Sequence, residues 1–372
     1  MDPSEQFCHN PACPLRGQVG QGNIGVHSQR DRRYQCHRCG KTFSATRGTA
    51  YDQLRTAVDT VTLVLTLLCH GCPLQAIVAA FGLDERTVAV WQARAGQQCQ
   101  AVHAHLVEAG RVDVQHVQVD EIWAKLVGQR VWMAMALAVP SRLWLGGVVS
   151  SHRDLPLITA LVQRVRRCAG SAAILVGVDG LASYVTAFRR VFRTPVHTGR
   201  RGRPRLVPEH GLLIGQVVKQ YAHRHGVRVS RRIIQGTREA IGAVIAATHG
   251  GTDINTAYIE RPNATFRSSL APLARRGRAI AHTDAVLTAG MYLVGCADNF
   301  CWVHASLRQL APPGAPLQWQ ERTPAMAAGL TDHRWTMSEL LHYQIPLPAW
   351  VPPKRRGRPP KASRLPALGT VA

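Results

Sequence analysis

Acidic side chains are scarce in this chain: 22 among 372 residues, against 45 lysines and arginines, for a formal charge of +23 and a pI near 10.7. That imbalance argues against an ordinary small-molecule enzyme and for a polyanionic partner. Long apolar runs are missing too. The most apolar windows, Val61 to Leu68 and Trp132 to Val139, are too short to span a bilayer. Because the basic residues are scattered along the whole sequence, nucleic acid is favoured over a membrane surface. Met1 to Gln6 is polar and acidic, unlike a secretory signal, so a cytoplasmic location is expected. No solenoid-type repeat is present. Of the ten cysteines, four cluster and six lie singly in apolar sequence, which excludes a disulfide framework in favour of one metal site plus buried thiols.

What is there suffices for two or three domains with at least one buried core, since 46% of the residues are hydrophobic. Cys8 to about Ala50 has the punctuation of a small metal-stapled module, and Thr56 to about Glu108 has helical spacing. Strand patterns follow at Val114 to Trp123, Arg130 to Val139 and Arg142 to Ser151, an antiparallel meander. A helix is expected at Leu155 to Cys168, a buried strand at Ala172 to Asp179 and a helix at Ser183 to Phe192, and together these indicate a mixed α/β sheet flanked by helices. Strand-like segments surround Gly215 to Tyr221 and Val227 to Ile234, and helical signals return at Asn255 to Ala274 and Asp284 to Cys301. From Ala311 onward the Pro-rich, basic tail is expected to be largely extended. The expected domains are therefore 1–52, 53–110, 111–310 and 311–372.

Cys8 and Cys13 are four residues apart and Cys36 and Cys39 two, with glycine after the second pair. Two thiolate pairs on tight turns can close a tetrahedral zinc site; the alternative is four free thiols. A closed sulfur site has no place for water, so its expected role is folding and DNA docking. Pro73 to Phe81 reads as a short helix, Gly82-Leu83 as a turn, and Asp84 as the N-cap of a second helix through Arg94. In a helix-turn-helix the second helix enters the major groove, so Arg86, Thr87, Gln92 and Arg94 are the candidates for DNA contact; the alternative is an ordinary helical hairpin.

Scarcity makes the strand-end acids informative. Asp120 closes the strand Val114 to Val119, Asp179 closes Ala173 to Val178, and Glu260 lies in an expected helix. A carboxylate at the close of a buried strand is costly without a partner, and a hard divalent cation is an efficient one. Three such groups would hold two magnesium ions that clamp a phosphodiester in line. Singly, each could be a helix cap, a turn residue or half of a surface ion pair.

In these residues the chain resembles the insertion-sequence-one family of bacterial transposases: the Cys pairs with Cys39 to Phe43, Val119-Asp120-Glu121-Ile122-Trp123, Asp179-Gly180 with Tyr184, and Tyr258 to Asn263 with Thr265, Arg267, Leu273 and Arg275. The resemblance spans about Cys8 to Cys301. It implies a ribonuclease H-like core behind a zinc ribbon and a helix-turn-helix, and a DDE transposase using magnesium or manganese to cleave and join DNA at terminal inverted repeats. It carries the catalytic and metal-binding acids to Asp120, Asp179 and Glu260, and a DNA contact to Arg267. Strand alternation is expected to point Glu121 to the face opposite Asp120. Two departures stand out: the first Cys pair is wider than usual, and Pro262 falls two residues past the glutamate, so that helix is expected to start near Ile259 or to kink.

Pro353 to Lys361 resembles an AT-hook, with Arg356 and Arg358 entering a narrow minor groove. A related run, Gly199 to Arg205, contributes Arg201 and Arg203 as a hook or a phosphate-gripping loop. The function expected is metal-dependent strand cleavage and 3′-OH transfer on double-stranded DNA, by a nucleoid-associated homodimer or larger oligomer. The alternative is a catalytically inactive DNA-binding regulator.

Overall fold

The structure is a computed structural model that describes residues 1–109, 112–126, 129–196, 199, 202–222, 225–273, 283–311 and 317–352, with backbone alone at 221, 222 and 225–227. The chain divides into two compact units, Met1–Arg47 with Pro346–Ala372, and Gly48–Ile345.

The first unit is built on a three-stranded antiparallel sheet of β1 (Ile24–Ser28), β2 (Arg33–Cys36) and β3 (Thr42–Ser44), in that order. Its small core is Ile24, Tyr34, Phe43 and three of the clustered cysteines, too little apolar surface to fold without a staple. Gly17 is held at φ +70°, and a Cβ there would lie 2.8 Å from the Leu347 carbonyl oxygen; only glycine lets the segment from Pro346 lie so close.

The second unit begins with α1 (Val58–Cys69), α2 (Leu74–Phe81) and α3 (Glu85–Leu106). The meander follows as β4 (His116–Leu126), β5 (Gln129–Ala138) and β6 (Trp144–Ser150). Then come α4 (Leu155–Cys168), β7 (Ile174–Val178), α5 (Ala182–Val191), and a small ribbon of β8 (Arg193–Val196) with β9 (Arg205–Pro208). After these lie β10 (Leu212–Ala222), β11 (His225–Gln235), α6 (Arg238–Ala247), α7 (Ala257–Ser269) and α8 (Asp284–Cys296). The six-stranded mixed sheet has the order β11-β10-β7-β4-β5-β6, with β7 parallel to β4 and to β10 and all other pairs antiparallel.

Local chemistry explains the elements that matter for the site. In α4, Asp154 caps the Leu157 amide at 3.0 Å, a proline occupies the first turn, and Leu157, Ile158, Leu161, Val162 and Val165 form one buried face. On the other side of the sheet, Trp144 is fully buried against Tyr292 and Phe266 at ring separations of 5.5 and 5.7 Å. Asn299 pins its backbone: the side-chain oxygen accepts from the Trp144 amide and the side-chain nitrogen donates to the carbonyl, both at 2.9 Å.

The helices α1, α2 and α3 lie in the same compact unit as the six-stranded sheet. A Cβ at Gly96 of α3 would lie 2.5 Å from the Ala289 Cα of α8, so the two helices touch backbone to backbone and α3 belongs to the unit that holds the sheet. Two short helices interrupt the described part of the tail that was expected to be largely extended. α9 (Pro324–Ala327) and α10 (Met337–His342) are ordered helices, and α10 starts on a full capping box between Thr336 and Glu339. Leu340 and Leu341 are completely buried, and Trp335 stacks between Phe300 and Tyr343. Proline content suggested an open chain; a few apolar side chains with a strong cap outweigh it. The helix α6 has no counterpart in the sequence reading, and the helical signal to Cys301 ends in a π-turn at Ala297–Cys301. Among the described residues no helix is long and apolar enough to cross a membrane.

Candidate metal centres

Among the described residues two groups of side chains could hold a metal ion: Cys8, Cys13, Cys36 and Cys39; and Asp120, Glu121 and Asp179.

In the first, the Sγ atoms of Cys8 and Cys39 are 3.6 Å apart and those of Cys13 and Cys36 3.9 Å, far longer than a disulfide. A tetrahedral zinc ion about 2.3 Å from each sulfur would hold them about 3.8 Å apart, so the set fits the ion it was expected to take. The knuckle is made by Gly40 at φ +70°, whose amide donates to the Cys36 carbonyl at 2.7 Å. The Asn23 side chain donates to Cys36 Sγ at 3.2 Å. The Cys39 thiol is lowered to about 7: burial opposes the shift, and hydrogen bonds from Asn10 and the Lys41 amide overcome it. Burial raises Cys8 and Cys13. Four sulfurs packed this closely cannot all be thiolates without a cation among them.

The second group lies where the sheet opens. The β4–β7 ladder pairs only His116, Val117 and Gln118 with Leu175, Val176 and Gly177. Beyond it the strands part, leaving Asp120 on one rim and Asp179, one residue past β7, on the other. Alternation holds along β4. The Gln118 oxygen accepts from the Tyr258 and Ile259 amides at 2.9 and 3.1 Å, and Asp120 accepts from the Asn263 side chain at 2.7 Å, so both face α7. Glu121 faces α5 instead, where it accepts from the Tyr184 hydroxyl. Yet because Asp120 and Glu121 both stand at the mouth of the notch, one oxygen from each of Asp120, Glu121 and Asp179 comes within 4.8 Å of the others. Opposite faces therefore do not separate Glu121 from the cluster.

Arg153, in the loop after β6, binds this group from above. It donates to Glu121 and reaches Asp179 at 3.4 Å, while its guanidinium lies 5.1 Å over the Trp132 ring. Burial and the neighbouring Glu121 charge push the Asp120 carboxyl up to about 6, and burial raises Glu121 as well. Such mutual repulsion is what a divalent cation relieves.

Glu260 stands outside this cluster but lines the same cleft of about 450 Å³, together with Asp120, Arg153, Asp179 and Lys219. Its carboxylate is exposed and paired with Lys219 at 3.1 Å. The helix that carries it starts at Ala257, two residues before the expected Ile259, because Gln118 caps it; Pro262 consequently falls in its second turn. Sequence reading passed over Gln118, Arg153 and Lys219. Each acts across the fold, at sequence separations no motif spans.

The expected DNA contacts fare differently. α2, a left-handed Gly82 and α3 with its Asp84 cap are present, the cap accepting from the Arg86 and Thr87 amides at 2.9 and 3.3 Å. Arg86 is exposed and Thr87 half-buried. Gln92 lies against α8 beside Gly290, and Arg94 donates to the Asp52 carbonyl at 2.6 Å, so these two tie the unit together. Arg203 is exposed beside the β8–β9 ribbon, and Arg267 is half-buried on α7. Arg201, Arg275 and the AT-hook-like segment with Arg356 and Arg358 lie outside the described residues. Comparison with known proteins adds no name: no protein-family model matches the chain, and no curated protein matches it.

Proposed function

We propose that this protein is a DDE-type DNA transposase resembling the insertion-sequence-one family, which binds the inverted-repeat ends of its element, cleaves them and joins the freed 3′-OH to target DNA. The observation that carries the reading is the placement of Asp120 on β4, two residues past the last β4–β7 pair, and of Asp179 just past the end of the parallel strand β7, with Glu260 on a helix lining the same cleft. The sheet supports a ribonuclease H-like core: an antiparallel meander with the first acid on its first strand, then two parallel strands with the second acid after the nearer one. Asp120, Asp179 and Glu260, with Glu121 beside them, would hold magnesium or manganese, which would supply charge stabilisation for an in-line phosphodiester displacement. The chain's own residues prepare that site. Asn263 orients Asp120, Arg153 holds Asp179 and Glu121, and Lys219 holds Glu260. The zinc ribbon, the α2–α3 helix-turn-helix and the +23 charge fit double-stranded DNA as the partner. Bringing two ends together calls for at least a homodimer.

The deciding experiment is cleavage of a supercoiled plasmid carrying the element's ends, in magnesium, by the parent protein and by Asp120→Asn, Asp179→Asn and Glu260→Gln. Each variant should bind the ends and fail to cut them. Cutting by any variant at the parental rate removes that residue from the site, and a parent that binds without ever cutting is a regulator.

A further inference from the structure

The β4–β5 hairpin extends past the carboxylate cluster, and its two faces differ. On one, Ile122, Ala124 and Leu126 with Val131 and Met133 are buried. The other is bare. Trp123 is 41% exposed, and its cross-strand partner is Trp132; one step further out, Lys125 is paired with Arg130. An exposed indole in mid-strand contributes little to the fold, and two cations directly opposite each other destabilise a hairpin. The Arg130 guanidinium lies 4.6 Å over the Trp123 ring, and that of Arg153 lies over Trp132 while also touching Glu121 and Asp179. A strip of two cross-strand indoles, with Arg153 over Trp132 and Arg130 over Trp123, thus leads out of the cleft. Two residues along β4, about 7 Å, separate Trp123 from Glu121 on this same face.

We propose that this strip, Trp123 and Trp132 with Lys125, Arg130 and Arg153, is a stacking platform for unpaired nucleotides of the DNA strand whose phosphodiester enters the carboxylate cleft. The inference rests on the nuclease reading and deepens it. Within a duplex each base face is covered by its neighbours, so the nucleotide best able to cover a flat indole on a sheet surface is one that has left the stack. The cations suit the phosphates flanking such a base. The only acids on the hairpin are Asp120 and Glu121 at its cleft end, so nothing on the outer strip repels a polyanion. The platform therefore selects frayed or splayed ends over closed duplex.

The test measures binding without cutting, in calcium, to a blunt duplex and to the same duplex with three unpaired nucleotides at one end, one of them 2-aminopurine. The parent protein should prefer the splayed DNA and quench the 2-aminopurine. Trp123→Ala should reduce affinity for splayed DNA about 5- to 150-fold, the range of one lost base stack, and leave blunt-duplex affinity unchanged. Trp123→Phe should restore most of the preference. Lys125→Ala with Arg130→Ala should weaken both DNAs alike and flatten the salt dependence. The proposal is overturned if the parent shows no preference, or if Trp123→Ala weakens both DNAs equally or neither. It is also overturned if Trp123→Ala only dissociates an oligomer in the absence of DNA, which would make the strip a contact between copies. Since the plasmid assay scores cutting and this one scores preference, loss of preference with cutting intact removes the platform alone, whereas a parent that neither binds DNA nor cuts it removes the nuclease reading too.

Discussion

Removing the charge of Asp120 should stabilise the metal-free protein. Burial and the neighbouring Glu121 raise this carboxyl from the ordinary 3.8 to about 6, a difference worth about 3 kcal/mol between the two protonation states. The group is only half-buried, and water on its open side screens part of the effect, so we take about 1–3 kcal/mol. The sign follows from proton binding. Below about pH 3.8 the group is protonated whether the chain is folded or not. Between there and about 6 the folded state holds the proton and the unfolded state has lost it, so stability falls as pH rises, and the full cost is present at pH 7. Asp120→Asn abolishes that cost. It need not lose its contact with α7, because the buried Asn263 side-chain oxygen has no hydrogen-bond partner among the described residues and a flipped amide would accept from the new side chain. The assay is urea unfolding in EDTA at pH 7.5 and pH 4: the variant should be more stable by about 1–3 kcal/mol at the higher pH and equal to the parent at the lower. Magnesium should then narrow or reverse the difference, since only the parent retains the full carboxylate set. A variant that is less stable at pH 7.5 in EDTA would show that Asp120 is already neutralised within the fold, and the argument for a cation there would fail.

Glu121→Gln removes the like charge beside Asp120, so the window above about pH 3.8 in which metal-free stability falls with rising pH should end at lower pH, with plasmid cutting reduced because Arg153 and Tyr184 lose their carboxylate; an unchanged window in the same urea titrations would detach Glu121 from the cluster. Cys36→Ser or Cys39→Ser should abolish the one tightly held zinc expected per chain and unfold the first unit, while the main unfolding transition of Gly48–Ile345 stays in place, as metal analysis and calorimetry would show. Glu108 accepts from Arg164 at 2.5 Å and Arg167 at 2.7 Å; despite burial, the His103 ring nitrogen 3.5 Å away and the hydrogen bond from Arg167 hold it at about 2. Glu108→Gln should therefore cost roughly 2–3 kcal/mol at neutral pH, and the penalty should vanish as pH falls from about 4.5 towards 2, where the parent loses the same interaction. Gly96→Ala should cost at least about 2 kcal/mol by prying α3 from α8, read as a lower urea midpoint; a neutral result would mean that the helices do not meet backbone to backbone.

The parts of this protein that local chemistry dictates were legible in its sequence. Two close-spaced cysteine pairs can do little but meet around an ion, an aspartate before a helical run caps it, and three alternating runs with short connections make a meander. The helix expected at about Leu155 to Cys168 was legible from its apolar stripe, and in the structure the Asp154 cap and a first-turn proline fix where it starts. Asp179 could be singled out because it closes a buried strand; Asp120 was expected to close one too, but β4 runs on to Leu126, and it is the end of the β4–β7 ladder, not of the strand, that exposes its carboxylate. The tertiary structure decided which groups share the cleft. Alternation placed Glu121 on the other face of β4, and so it is, but where a ladder ends the faces meet at a common edge, and only the short β4–β7 pairing reveals that edge. Arg153, Lys219 and Gln118 hold the acids from loops and strands distant in sequence, and the helices of 53–110 merged with the sheet because Gly96 allows a backbone contact no pattern of hydrophobicity predicts. Periodicity records what each segment buries; which segments come together depends on the summed packing of all of them.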